Sequence, residues 1–308
     1  FEPVKKINSL DDDWQLAFID SRTAILTYND NNNQVPFQVT LTNETLGNFS
    51  SGLSVPLDGH IGCFSFHKNK VYFASSPFGK SPEGLTGDCN IFTGDFSRNV
   101  ISNIEPLPSQ INTIYRTWES HPSISPNGKV LFFSSDRVGY KGPDIWFTVL
   151  LPNGKWSEPI NCGDSVNTEC DEITPFVTAD GKQLLFSSTG HNNVGGYDLF
   201  ASNISPQFWE IIEHFEPTQN YDFSRYFSDA VNLRPPTNTA ADEIFPTTPT
   251  NPSDLLYYSS NQFAKESSVI YRRGGFDIYC RYKITKPKIA KQKERTEESM
   301  LEAEAPEK

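Results

Sequence analysis

Three glutamates, Glu119, Glu172 and Glu243, stand at one position of a recurring stretch, and Asp13 holds the matching place in an earlier, weaker copy. Carboxylates gathered in this way could serve glycoside cleavage, which needs two acids with different pKa values. A catalytic pair should break the symmetry of a repeat, whereas these acids obey it. The expectation is therefore structural: each accepts backbone hydrogen bonds where an inner strand begins. Asp144, Asp198 and Asp277 follow the same logic, each opening a strand after a Gly-bearing loop, where Asp satisfies exposed backbone donors. The run Asn29-Asp30-Asn31-Asn32-Asn33 is polar enough to suggest calcium. It lacks the Gly and terminal Glu of an EF-hand loop and reads as a hairpin tip.

None of the histidines His60, His67, His121, His191 and His214 has HExxH spacing, and no Gly-x-Ser-x-Gly elbow occurs. His121, where a strand begins, reads as structural, and Gly195-Gly196 reads as a turn rather than a phosphate cradle. The cysteines Cys63, Cys89, Cys162, Cys170 and Cys280 contain no CxxC pair, so no zinc site is expected. Cys162 and Cys170 share one loop; they could close a small disulfide or be two unrelated thiols. Cys280, inside a strand pattern, reads as a small buried hydrophobe. No catalytic residue, metal or cofactor is expected, and the chain is read as not an enzyme.

Departures from the repeat point to binding instead. An insertion near residues 208–230 carries Trp209, Phe215, Tyr221, Phe223, Tyr226 and Phe227. Aromatic side chains dominate binding hot spots, so these form a candidate partner surface, with packing onto the neighbouring repeat as the alternative. Two loops add Arg137, Tyr140, Lys141, Arg272 and Arg273, basic groups suited to an acidic partner, with solvated loop tips as the alternative.

The elements that would position these groups come from the repeat itself. Aromatics make up 13% of the 308 residues, with 23 Phe, 12 Tyr and a single Met, a composition that suits many short strands. Glu119 to Ser135, Glu172 to Ser188 and Glu243 to Ser260 read as copies of one hairpin, each followed by a strand at Asp144-Ile-Trp, Asp198-Leu-Phe or Asp277-Ile-Tyr. Weaker copies begin at His60 and at Asp13. Asn127-Gly128 and Asp180-Gly181 predict two-residue hairpin turns with both residues at positive φ. A fourth strand follows Trp156. Stacking such sheets around an axis buries both faces of each, so the expected fold is an all-β five-bladed β-propeller of four-stranded antiparallel blades. Pro3–Ser9 resembles the end of a repeat and is expected to close the last blade. Residues 1–285 are read as the propeller and 286–308, rich in Lys and Glu, as a charged tail or linker.

The net charge of −12 repels phosphate backbones and argues against a nucleic-acid partner. No apolar run is long enough for a membrane helix. Ser125–Lys129 (Ser-Pro-Asn-Gly-Lys), Phe133–Arg137 (Phe-Ser-Ser-Asp-Arg) and Gly195–Phe200 resemble TolB-type, WD-repeat-like propellers. The longer pattern, with Trp156-Ser-Glu-Pro-Ile, looks like those in OmpA-family and secretion-associated envelope proteins of Bacteroidota. That resemblance implies a non-catalytic, protein-binding scaffold in the periplasm or at the outer membrane. The alternative is a carbohydrate-binding or glycoside-cleaving propeller. Peptidoglycan contact does not carry over, because the sequence holds no OmpA-like domain.

Overall fold

The computed structural model of the chain describes residues 12–30, 33–42, 45–76, 89–113, 117–139, 141–250, 255–262 and 275–282. They form five antiparallel sheets of consecutive strands. Blade 1 is β1 (Asp13–Phe18), β2 (Thr23–Asp30), β3 (Asn33–Thr42) and β4 (Thr45–Gly52); blade 2 is β5 (His60–His67), β6 (Lys70–Ser76), β7 (Asn90–Ser97) and β8 (Val100–Pro106). Blade 3 is β9 (Glu119–Ile124), β10 (Val130–Ser135), β11 (Asp144–Val149) and β12 (Ile160–Asn161); blade 4 is β13 (Glu172–Val177), β14 (Gln183–Ser188), β15 (Asp198–Asn203) and β16 (Val231–Asn232). Blade 5 holds β17 (Glu243–Thr247), β18 (Leu255–Ser260) and β19 (Asp277–Tyr282) among the described residues. The fold is the expected five-bladed β-propeller. The closing strand expected at Pro3–Ser9 and the tail lie outside the described residues.

Period-two alternation explains why the blades stack. On β10, Val130 and Phe132 pack with Leu184 and Phe186 of blade 4, while Leu131 and Phe133 pack with Tyr72 and Ile91 of blade 2. The second strands of the other blades divide their side chains in the same way, giving one apolar cluster at each blade interface. A fully buried Phe or Leu contributes about 1.5–3 kcal/mol, so these interfaces carry the fold. The interface between blades 5 and 1 joins Leu255, Tyr257 and Ile278 to Leu16, Phe18 and Leu26. There the Asp13 amide donates to the Phe276 carbonyl at 2.8 Å, and Ser259 donates to the Trp14 carbonyl. The described residues thus close the ring.

The hairpin turns differ from expectation. Gly128 (φ +74°) and Gly181 (φ +68°) alone take positive φ, and Asn127 and Asp180 do not. The Gly128 amide donates to the Ser125 carbonyl and the Gly181 amide to the Thr178 carbonyl, both at 2.8 Å. Each turn therefore spans four residues. Asn127 and Asp180 instead accept side-chain bonds from Ser125 and Thr178 at 2.7 Å, which favours the turn without a second left-handed residue.

The insertion forms α1 (Pro206–Glu213), led by Pro206 after Ser205, and a short 3-10 turn at Ser224–Tyr226. No described helix is long and apolar enough to cross a membrane. Cys162 and Cys170 are not bonded to each other. Cys162 is fully buried in the cluster between blades 3 and 4, whereas Cys170 is exposed, so the loop sends the two thiols into different environments.

Candidate functional site

The repeated acids sit behind the axis as clamps. Glu172 accepts the Thr168 amide at 2.7 Å, the Thr168 hydroxyl at 2.8 Å and the Ser188 hydroxyl at 2.6 Å. Glu243 repeats this with Thr239 (2.9 and 2.7 Å) and Ser260 (2.8 Å), and Glu119 with Thr113 and Ser135. Burial raises the pKa of all three, that of Glu172 to about 7. Asp144 and Asp198 accept the amides of Asn161 (2.8 Å) and Asn232 (2.7 Å) from the fourth strands, and Asp277 is buried at the start of β19. Blade 2 has Ile61, paired with Ser75, in place of the acid.

The axis carries different chemistry. The inner strands of blades 2 to 5 shift register at the same place through a β-bulge, and β1 does so slightly earlier, between Asp13 and Gln15. Cys63, His121, Thr174 and Phe245 take φ between +52° and +56° there, and Gln15 holds the equivalent position in blade 1. Because the bulge recurs, it belongs to the fold. What varies is the side chain offered: Gln15, Cys63, His121, Thr174 and Phe245 form one ring. Two residues further on, Ala17, Ser65, Ser123, Phe176 and Thr247 form a second. All of these except Cys63 line a cavity of about 490 Å³. Among the described residues, Asp20 is the one acid and Lys68 the one cation on that lining, both exposed, and none of the repeated glutamates reaches it. His121 and Phe245 also line a second chamber of about 440 Å³, with Trp14, Trp118, Tyr197 and Asp136. These two residues form the waist between the chambers. Among the described residues, no group of His, Cys, Asp and Glu could hold a metal.

The inner strands are laced together around this channel. Gln15 exchanges hydrogen bonds with the Phe64 amide (2.7 Å) and carbonyl (3.3 Å). Ser65 accepts the Ile124 amide at 3.0 Å, Ser123 the Val177 amide at 3.2 Å, and Thr174 the Phe245 amide at 3.3 Å. His121 stacks edge-on against Trp118 (4.8 Å) and Phe245 (5.1 Å), and burial lowers its pKa to about 3. An unfolded chain protonates this imidazole below its ordinary pKa of about 6.5, whereas the folded chain stays neutral until about 3. Stability from His121 is thus lost as pH falls from about 6.5 towards 3, at a limiting ~1.4 kcal/mol per pH unit. Glu172 opposes this, contributing stability as pH falls from about 7 towards 4.5, and the raised Glu119 and Glu243 act in the same direction. His121→Asn, tolerated at positive φ, is expected to remove about 1–2 kcal/mol of the difference between urea unfolding at pH 7 and pH 5. An unchanged pH difference would show that the imidazole is not buried neutral.

The other predicted residues scatter. Arg137 is no loop-tip contact: its guanidinium lies 3.3 Å from Glu119, donates to the Gln110 and Ile111 carbonyls, and covers the Phe133 and Trp146 rings. Its side chain is 12% exposed, so the sequence expectation of a basic contact is corrected to a buried clamp. Lys141 is exposed and pairs with Glu169 at 2.6 Å. Tyr140, Arg272 and Arg273 lie outside the described residues. Phe223 and Phe227 are buried between blades 3 and 4, and Trp209, Phe215, Tyr221 and Tyr226 are partly exposed against the same cluster. Sequence reasoning missed the axial residues, although a signal existed. The positions two and four after each repeated acid change chemical type from copy to copy.

No family model matches the chain, and no curated protein matches it by sequence. Solved structures do. The α-L-arabinofuranosidase of Lactobacillus brevis is similar at 11% identity over 91% of this chain and 94% of its own, with a TM-score of 0.52. The GH32 β-fructofuranosidase of Bombyx mori is similar at 10% identity over 87% and 59%, with a TM-score of 0.53. A putative TolB of Agrobacterium tumefaciens is similar at 10% identity over 88% and 89%, with a TM-score of 0.45. At such identities the likeness shows the fold alone. The arabinofuranosidase and the β-fructofuranosidase, each with a TM-score above 0.5, are both enzymes. This overturns the expectation that the chain is not an enzyme, since propellers of this shape are common catalytic frames. The repeated glutamates are buried in hydrogen bonds away from the axial cavity, whose lining offers a different set of groups.

Proposed function

We propose that this propeller recognises a small, uncharged, hydroxyl-rich ligand of the carbohydrate class in its axial cavity. One observation carries the reading: the two axial rings break the fivefold repeat and hold hydroxyls, an amide, an imidazole and two Phe rings, with no charged side chain. Hydroxyls and amides suit the polar edge of a sugar, and Phe176 and Phe245 suit its apolar face. A volume of about 490 Å³ falls in the range of small-molecule sites. The resemblance of the repeat to TolB-type propellers supports a periplasmic or outer-membrane setting.

A thermal-shift screen of neutral mono- and disaccharides at millimolar concentration is expected to find ligands that raise Tm by several degrees. Phe176→Ala should abolish that shift, measured relative to its own unliganded Tm. A panel without shifts, or shifts indifferent to Phe176, would overturn the proposal.

A second reading, protein recognition in an envelope assembly, is favoured by the other chamber. Its walls are chiefly Trp14, Trp118, Tyr197, Ile173 and Ile244, which suit an apolar side chain of a partner better than a polyol. The partly exposed Trp209, Phe215, Tyr221 and Tyr226 are the further candidate surface for such a partner.

A further inference from the structure

We infer that the axial ligand is anchored through an uncharged carbonyl oxygen, held by hydrogen-bond donors from Ser65, Ser123 and His121 on adjacent blades 2 and 3. This rests on the carbohydrate reading of the same cavity and names the group that the site selects. The blade-to-blade lacing fixes the direction of all three donors. Ser65 Oγ accepts the Ile124 amide at 3.0 Å, and Ser123 Oγ accepts the Val177 amide at 3.2 Å. A hydroxyl that has accepted an N–H still has its own proton to give, and no described protein acceptor takes it from either serine. His121 Nδ1 lies 3.4 Å from both the Thr174 amide, which can only donate, and the Ser134 hydroxyl, which can donate as well, so Nδ1 is the acceptor and the neutral ring carries its proton on Nε2. No described residue accepts that proton.

The three donors are close neighbours. Ser65 touches the amide of the residue that follows Ser123, and His121 lies two residues before Ser123 on the same strand. All three line the one cavity. Burial keeps the imidazole neutral across the physiological range. The donor cluster therefore contains no cation. Lys68, the one cation on the described lining, is exposed to solvent and lies outside the cluster, so a carboxylate held by the three donors would lose its hydration without a counter-charge among them, a large cost, whereas a carbonyl needs only donors. Phe176 on blade 4 and Phe245, in edge contact with His121 at 5.1 Å, line the same cavity, which suits a sugar whose carbonyl is attached to an apolar face, as in an acetamido group or a lactone ring.

Matched pairs of ligands test this in the full chain by calorimetry: N-acetylglucosamine against glucose, and glucono-1,5-lactone against 1,5-anhydroglucitol. The carbonyl-bearing member is expected to bind about tenfold more tightly. Ser65→Ala and Ser123→Ala should each reduce that ratio towards one while leaving the affinity for the carbonyl-free member nearly unchanged. Because both serines also join blades, His121→Asn is the third variant and should lower the same ratio independently. Equal binding within each pair, or a preference that survives all three variants, would overturn the carbonyl anchor while the carbohydrate site stands. Binding by neither member of either pair would remove both.

Discussion

Asn238→Ala is expected to cost about 3 kcal/mol of folding stability, a large share of the roughly 5–15 kcal/mol that holds a typical domain. Asn238 is fully buried. Its Oδ1 accepts the Leu199 amide at 2.9 Å, and its Nδ2 donates to the Leu199 carbonyl at 2.9 Å and to Asn232 at 2.7 Å. The side chain thus stands in for a missing strand partner at the start of β15. Alanine would leave the buried Leu199 N–H without its partner, at roughly 1–3 kcal/mol, and would remove two further bonds, to the Leu199 carbonyl, which keeps the Leu233 amide at 3.0 Å, and to Asn232, at about 1 kcal/mol each. Asn167 makes the same pair of bonds to Ile145, and Asn112 to Ile91, so the device recurs at each of these blade junctions. Urea unfolding should show the loss as a lower midpoint at unchanged m. Asn192→Ala, at an exposed position, should stay within about 0.5 kcal/mol. Equal, small effects for both would show that the clamp does not hold the blade.

The recurrence of that asparagine explains why so much of the fold is legible in the sequence. Asn167 and Asn238 each stand five residues ahead of the acid that opens the next blade, and a Thr stands between them and that acid. Asn8 and Ser9 keep the same spacing ahead of Asp13. The Phe276 amide donates to Asp12 at 3.1 Å, just as the Tyr197 amide donates to Asp242 at 3.1 Å. Repetition reveals residues that do one structural job many times, and it hides those that do a different job in each copy. His121 looked structural because it sits at a strand start. Its role depends on a bulge that turns one residue per blade toward the axis, and a hydropathy pattern does not report a bulge. Arg137 looks like a loop-tip cation in the sequence because it opens the basic loop 137–141 of an acidic chain, and its neighbours Asp136 and Val138 are exposed. Only the approach of Glu119 from the neighbouring strand shows why it turns inward. The spacing of Cys162 and Cys170 was equally silent on direction, since one thiol follows a strand into the core and the other does not.

Phe208→Ala is expected to be the most damaging substitution in the insertion, at about 3–5 kcal/mol. Phe208 is fully buried, with ring centroids 5.5 Å from Phe147, 5.4 Å from Phe227 and 5.8 Å from Phe223. Phe208 and Ile212 lie one helical turn apart and are the buried face of α1, a periodicity that already separates an inward stripe from the rest. The helix is tied down at both blades it spans. Trp209 donates to the Gly181 carbonyl at 2.8 Å on the blade 4 turn, and Glu213 pairs with Lys129 on the blade 3 turn. Removing the Phe208 ring would open a cavity against Phe132 and Phe147 that these ties prevent from collapsing, which places the cost toward the upper end. Phe215→Ala, at a partly exposed ring, should cost about 1 kcal/mol. The contrast bears on function as well as stability. If the insertion binds a partner, Phe215→Ala should weaken that binding while the fold survives, whereas Phe208→Ala should lower Tm with or without the partner. If Phe208→Ala instead leaves the melting curve unchanged, the insertion is not part of the core, and its whole aromatic set becomes available to bind.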